Sequence, residues 1–158
     1  MTRWLSEHEQ ELWRGWIAAS MLLPDRLSRD LQEQHNLTGT DYQILVELSE
    51  SPERRMRMST LADLTMLSRS RLSHQVDRMS KAGLVERQSC ADDGRGMYAA
   101  LTEGGWQTIV AAAPDHVESV RRHLLDQLTP EEFEAFGQAC LKLASALRPN
   151  PEHAGSVH

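Results

Sequence analysis

The chain has 158 residues, a formal net charge of −6, 40% hydrophobic residues and 25% charged residues. That length can bury a core without disulfide staples, and its two cysteines, Cys90 and Cys140, cannot make a disulfide framework. The composition excludes collagen-like, low-complexity and wholly disordered classes, and no apolar run reaches the ~18 residues of a membrane span. A basic start, apolar run and small-residue cleavage site are not seen together, so the expected setting is the cytoplasm, with both cysteines reduced.

The first predicted element runs from Ser6 to about Leu23, where Leu12, Trp13, Trp16 and Ile17 recur at helical spacing. Ser6 and Glu9 form a capping box at its start. Pro24 either kinks this helix or opens a second one as its first residue. Leu27 and Leu31 continue the stripe to about Gln34. Thr38-Gly39-Thr40-Asp41 opens the next helix, whose apolar positions are Tyr42, Leu45, Val46 and Leu48, and Ser49-Glu50-Ser51-Pro52 ends it. Met56-Arg57-Met58 reads as a short extended piece. Ser59 is the expected cap of a helix over Thr60–Thr65, with Leu61 and Leu64 pointing inward.

The following helix is capped by Ser68 or Ser70 and stopped by Gly83. Leu72, Val76 and Met79 stand at i, i+4 and i+7, so they form its buried stripe. The other face carries Ser70, His74, Asp77, Arg78 and Lys81, flanked by Arg71 and Ser73. It is polar and mostly basic. An ordinary solvated face is the competing reading, but such a face normally mixes signs, and here Asp77 alone is acidic.

After Gly83 the period changes to two. Leu84–Gln88 and Met97–Leu101 read as hairpin strands around a turn with Asp-Gly chemistry, which places Arg95 near the tip. Thr102 caps a long helix despite Gly104 and Gly105 in its first turn. Trp106, Val110, Ala113, Val117, Val120 and Leu124 repeat at steps of four and three, and Pro114 is a kink site. Thr129-Pro130-Glu131-Glu132 opens the last helix with a cap, a first-turn proline and a capping-box glutamate. Phe133, Phe136, Cys140, Leu143 and Leu147 repeat the same steps. Two such seams pack either as one intramolecular hairpin or against a second copy. The second is favoured, because both are long relative to the small central part. The Pro- and Gly-containing tail after Arg148 is expected to fray.

The acidic total hides an asymmetry. Between Arg54 and Arg95 nine positive charges face five negative ones, a net of +4 that leaves −10 for the rest. A basic middle in an acidic frame fits a polyanionic partner.

The stretch Leu67-Ser68-Arg69-Ser70-Arg71-Leu72-Ser73-His74-Gln75-Val76-Asp77-Arg78-Met79, followed by Lys81-Ala82-Gly83-Leu84-Val85-Glu86-Arg87, resembles the recognition helix and first wing strand of the MarR family of bacterial transcription regulators. Asp93-Gly94-Arg95 and Leu101-Thr102-Glu103-Gly104-Gly105 resemble that family's wing motif and its exit into the fifth helix. The likeness spans roughly residues 6 to 148. One departure is Met66, which stands where the family has a glycine in the helix-turn-helix turn.

The resemblance implies a mainly α fold with a small β-hairpin wing. It divides the chain into N-terminal dimerisation helices (1–37), a winged helix-turn-helix DNA-binding domain (38–102), C-terminal dimerisation helices (103–148) and a flexible tail (149–158). It implies a homodimer acting as a transcriptional repressor on pseudo-palindromic double-stranded DNA in the bacterial nucleoid. Ser70, Arg71, Ser73 and His74 are then the base-reading residues, with Thr60, Ser68, Arg69 and Arg78 on phosphates and Arg95 in the minor groove.

Family members respond to small phenolic or lipophilic acids bound between the helical and DNA-binding lobes. The candidates for such an effector here are Trp13, Trp16, Tyr42 and Trp106, with His35 as polar partner. Core packing explains the same aromatics. The sensor cysteine that the family's peroxide-sensing branch carries in its first helix has no counterpart, which leaves Cys90, near Arg87 and Arg95, as the redox candidate. No metal-ligand spacing, nucleophile elbow, phosphate loop or dinucleotide fingerprint is present, so neither cofactor nor catalysis is expected. The alternative reading is a winged-helix protein-interaction module without DNA binding.

Overall fold

A computed structural model describes residues 1–89 and 96–147. The expected hairpin tip, with Cys90, Asp93 and Arg95, and the tail after Leu147 lie outside the described residues. The chain divides into two compact units, Met1–Ser119 and Val120–His158.

The first unit opens with α1 (Glu7–His35). Its start is the expected capping box: the Ser6 hydroxyl accepts from the Glu9 amide at 3.2 Å, and the Glu9 carboxylate accepts from the Ser6 amide at 2.8 Å. Pro24 lies inside α1 and opens no second helix. A proline removes one backbone donor, and a long helix can absorb that loss. The helix stops at Asn36, whose φ of 54° turns the chain left-handed.

α2 (Gly39–Glu50) is capped by Thr38, and Asp41 completes its capping box. Ile44, Leu45 and Leu48 are fully buried, and Tyr42 and Val46 pack, partly buried, against that core. A single 3-10 turn (Pro52–Arg54) leads into β1 (Arg55–Arg57) and then α3 (Met58–Thr65). The helix therefore starts at Met58, and Ser59 sits in its first turn instead of capping it. Leu61 is buried as expected, but Leu64 is not. An eight-residue helix offers too few turns to fix its facing from periodicity.

α4 (Arg69–Lys81) is capped by Ser68 and buries Leu72, Val76 and Met79. Gly83, at φ 74°, makes the turn out. β2 (Val85–Ser89) and β3 (Met97–Leu101) pair antiparallel, Val85 opposite Leu101 and Ser89 opposite Met97. β1 adds to the other side of β3, so the sheet has three strands in the order β1-β3-β2.

α5 (Glu103–His123) leaves the sheet directly. The Thr102 hydroxyl accepts from the Gly105 amide at 3.0 Å. The paired glycines have a steric reason: a Cβ on Gly105 would stand 2.0 Å from the Leu84 carbonyl oxygen. The buried residues of α5 are Gly105, Ile109, Ala112 and Ser119. Val110 and Val117 of the expected seam lie off this face and stay exposed in the single chain. α1 and α5 are tied by polar bonds. The Ser119 hydroxyl donates to the buried Asp30 carboxylate at 2.5 Å, and His35 Nε2 meets Asp115 at 2.8 Å.

In the second unit, a 3-10 turn (Leu125–Gln127) precedes α6 (Pro130–Leu147). The Glu132 amide donates to the Thr129 hydroxyl at 3.2 Å, and the Thr129 amide donates to the Glu132 carboxylate at 2.8 Å, which is the expected capping box. No residue of α6 is buried. Among the described residues no helix is long and apolar enough to cross a membrane.

Candidate nucleic-acid interface

The face of α4 opposite its buried stripe presents Arg69, Ser70, Arg71 and His74 to solvent, together with the capping residue Ser68. The Ser68 hydroxyl is taken by the Arg71 amide at 3.2 Å, which anchors the leading turn. That leading turn carries unneutralised N–H groups, short hydroxyls and two guanidinium groups, and no acidic residue. It suits both a phosphate and a base edge. Thr60 is exposed in the first turn of α3. A cleft of about 290 Å³ runs between the start of α3, α4 and the sheet. Arg57, Arg69 and Arg87 border it with Ser59 and Ser73. Its charge and size suit a phosphate group.

Two of the expected DNA contacts have other partners. The Ser73 hydroxyl and carbonyl accept from Arg87 Nη2 at 2.8 and 3.1 Å, and Arg87 Nε donates to Asp77 at 2.9 Å. This places Ser73 in a brace between α4 and β2. Arg78 is ion-paired with Asp41 of α2. Asp41 is 1% exposed. It also accepts from Gln75 Nε2 at 2.6 Å, from the Thr38 amide at 2.9 Å and from the Thr38 hydroxyl at 2.7 Å. Burial pushes the Asp41 carboxyl up, but the hydrogen bonds from Arg78 and Thr38 and the Arg78 charge outweigh it. The carboxyl therefore titrates below its ordinary range, and Arg78 is held more firmly protonated by the same bond. Asp41, Gln75 and Arg87 went unnoticed in the sequence as site residues, since nothing local marks a contact between residues 41 and 78.

The five effector candidates are not gathered. Tyr42 alone lines a pocket, one of about 680 Å³ formed by α1, α2 and α5. Trp106 is covered by the Arg54 guanidinium, 3.7 Å from its ring centre. His35 is committed to Asp115. Trp13 and Trp16 lie on the exposed stripe of α1. The residue that does join Tyr42 is His116, its ring centre 4.2 Å away. Among the described residues no group of three metal-ligating side chains occurs.

Comparison with known proteins places this geometry. A family model described as MarR family matches residues 35–96. The crystal structure of AbsC, a MarR family transcriptional regulator from Streptomyces coelicolor, is 50% identical, covers 93% of this chain and 99% of its own, and superposes with a TM-score of 0.88. Sco3205, a MarR family transcriptional regulator of the same organism, solved in complex with DNA, is 43% identical over 95% of this chain and 94% of its own, with a TM-score of 0.91. The homoprotocatechuate degradative operon repressor of Escherichia coli is 32% identical over 67% of this chain and 70% of its own length.

Proposed function

This chain belongs to the MarR family of transcriptional regulators, and from that premise we propose that it is a dimeric, sequence-specific repressor that grips double-stranded DNA with two copies of α4. The observation that carries this reading is the split character of α4. One stripe is locked in the core, and the opposite face offers Ser70, Arg71 and His74 with no acidic residue in the leading turn. Arg71 and His74 read bases. Arg69, Ser68, Thr60 and the basic cleft hold phosphates, and Arg95, which lies outside the described residues, is the minor-groove contact. Arg78 acts at one remove by fixing α4 against α2. The dimer is made by the helices before residue 38 and after residue 102, and the setting is the bacterial cytoplasm, at the nucleoid. The DNA complex of Sco3205 and the repressor name of the Escherichia coli relative support the reading.

A small molecule held in the pocket between α1, α2 and α5 fits the control of such a repressor. It would touch both the helix that carries the exposed apolar stripe and the helix that Asp41 ties to α4.

The test is binding of the purified protein to DNA from its own upstream region across a salt series. Affinity is expected to fall by about a thousandfold or more between low and moderate salt, as several phosphates are neutralised per dimer. Arg71→Ala is expected to relax sequence preference at one position of each half-site, at about 1–3 kcal/mol. A salt-insensitive affinity, or an Arg71 variant that weakens every sequence equally, would overturn the electrostatic reading or the base-reading role respectively.

A further inference from the structure

The turn between α2 and β1 carries two adjacent left-handed residues that are not glycine. Glu53 has φ 55° and Arg54 has φ 53°. That conformation is unfavourable for any residue with a Cβ, so such a pair persists only where its surroundings fix it. Part of the hold is local. The Arg54 amide donates to the Ser51 carbonyl at 3.0 Å, and Glu53 pairs with Arg55 at 2.5 Å. The rest comes from far along the chain. The Arg54 guanidinium lies over the Trp106 ring of α5, 3.7 Å from its centre, and 3.9 Å from the Glu103 carboxylate. Glycine would meet the backbone shape with less strain, so the gain from an arginine at this point lies in its side chain.

What that side chain anchors is the head of β1. Met56 packs against the core, and the alternation of a strand puts Arg55 and Arg57 on the other face, both exposed. Their guanidinium groups are 5.3 and 5.7 Å from the centre of the Tyr98 ring on β3, and Arg57 is the cross-strand partner of Tyr98. Arg57 also borders the basic cleft, which runs from Arg69 in the leading turn of α4 to Gly96 and Met97 at the start of β3. No acidic residue lines that cleft among the described residues. Arg87, another of its arginines, is already bonded to Asp77 and Ser73.

We propose that Arg57 is a DNA phosphate contact supplied by β1, and that the Arg54–Trp106 stack is the positioning pair that fixes it there. The proposal rests on the regulator reading above and adds a third contact element beside α4 and the wing. A sugar-phosphate backbone separates each major groove from the next minor groove. With α4 in one and the wing in the other, that backbone passes between them, where the cleft opens. β1 has three residues and lies at the sheet edge, so its pairing with β3 alone holds it weakly. The stack on Trp106 pins the end that pairing leaves loose. A phosphate contact carries no sequence information, so its signature is in the salt dependence.

The experiment measures binding of the full-length protein to its own upstream DNA and to an unrelated duplex of the same length, across a salt series. Arg57→Ala is expected to weaken both by about tenfold at moderate salt and to lower the slope of log affinity against log salt by about one per half-site. Arg54→Gly suits the left-handed turn better than arginine does, so it keeps the fold while removing the stack. It is expected to weaken both duplexes by about threefold, and Arg54→Lys, which restores a cation over the ring, to regain part of that. In the Arg57→Ala background Arg54→Gly is expected to add nothing, because the residue it positions is gone. Three results would overturn the proposal: a salt slope unchanged by Arg57→Ala, normal binding by Arg54→Gly, or an Arg54→Gly loss as large without Arg57 as with it. A wild-type protein that binds upstream DNA no better than the unrelated duplex would instead sink the regulator reading, so the two failures are told apart.

Discussion

The segment from Leu37 to Ala112 and the helical segments that flank it solve the burial problem differently. Between Leu37 and Ala112 the apolar residues are satisfied within the chain: Ile44, Leu45, Leu48, Leu61, Leu72, Val76 and Met79 are at most 1% exposed. The charged groups on its helices are braced there too, Asp41 by Arg78 and Asp77 by Arg87. The first turns of α1 reverse this. Leu12, Trp13 and Met21 are 61%, 53% and 69% exposed, and nothing before Asp30 is buried. α6, taken by itself, buries no residue although Phe136, Leu143 and Leu147 lie along it. Single exposed hydrophobics are ordinary; a stripe at helical spacing marks an interface. One region buries its apolar groups within the chain; α1 and α6, each taken by itself, leave theirs exposed, and a second copy is the cover we propose for them.

The largest expected effect follows from that difference. In a two-fold interface every substitution acts twice. A buried tryptophan anchor is worth about 2 kcal/mol or more, so Trp13→Glu should cost about 4 kcal/mol of dimer stability and weaken association roughly a thousandfold. Sedimentation across a concentration series reads this directly. The winged segment should keep its fold in the variant, seen as an unchanged near-ultraviolet spectrum around Trp106. A dimer that survives Trp13→Glu would place the interface elsewhere.

The next effect lies inside the self-sufficient region. Asp41→Ala removes the capping partner of Thr38 and the counter-charge of Arg78 and leaves Gln75 unpaired. Because the Arg78 side chain is half exposed and regains water, the cost is that of losing a buried carboxylate's hydrogen bonds, about 1–3 kcal/mol, read as a lower urea midpoint with an unchanged slope. The pH dependence has a definite sign. Asp41 titrates below its ordinary value of 3.8 when folded. Its contribution is therefore fully present above that value and is lost as pH falls through the folded value. Wild type and Asp41→Ala should converge in stability in strong acid, and a gap that persists there would show that packing, not charge, sets the cost.

What was legible in the sequence follows the same division. The α4 stripe, the capping boxes at Ser6 and Thr129 and the β2–β3 pair are local, since periodicity and caps act over a few residues. The likeness to the MarR family rested on those same local stretches. Contacts between distant residues were not legible: Asp41 with Arg78, Arg87 with Ser73, His116 with Tyr42. The extended piece read at Met56–Met58 is the strand Arg55–Arg57, one residue earlier, but its pairing with β3 is again a contact between distant residues. α5 has two apolar faces: spacing picked out the one with Val110 and Val117, which the single chain leaves exposed, and passed over Ile109 and Ala112, which pack inward. The effector candidates were weighed by residue type, whereas position decides which of them meets a cavity, and of the five Tyr42 does.

The smallest effect tests the boundary of the self-sufficient region at its one departure from the family likeness. Met66 ends α3 with φ 55°, a left-handed conformation that costs a residue with a Cβ about 1–2 kcal/mol. Its side chain is 88% exposed, so packing returns little of that. Glycine would remove the strain at the cost of a more flexible unfolded chain, about 0.5–1 kcal/mol. The balance predicts that Met66→Gly stabilises the protein by about 0.5–1 kcal/mol, a small rise in urea midpoint with the dimer untouched. DNA binding should hold or improve slightly, because the backbone that joins α3 to α4 is unchanged. A destabilised Met66→Gly would mean that the methionine side chain packs on something absent from a single chain, and the segment from Leu37 to Ala112 would then share the dependence on a second copy proposed for α1 and α6.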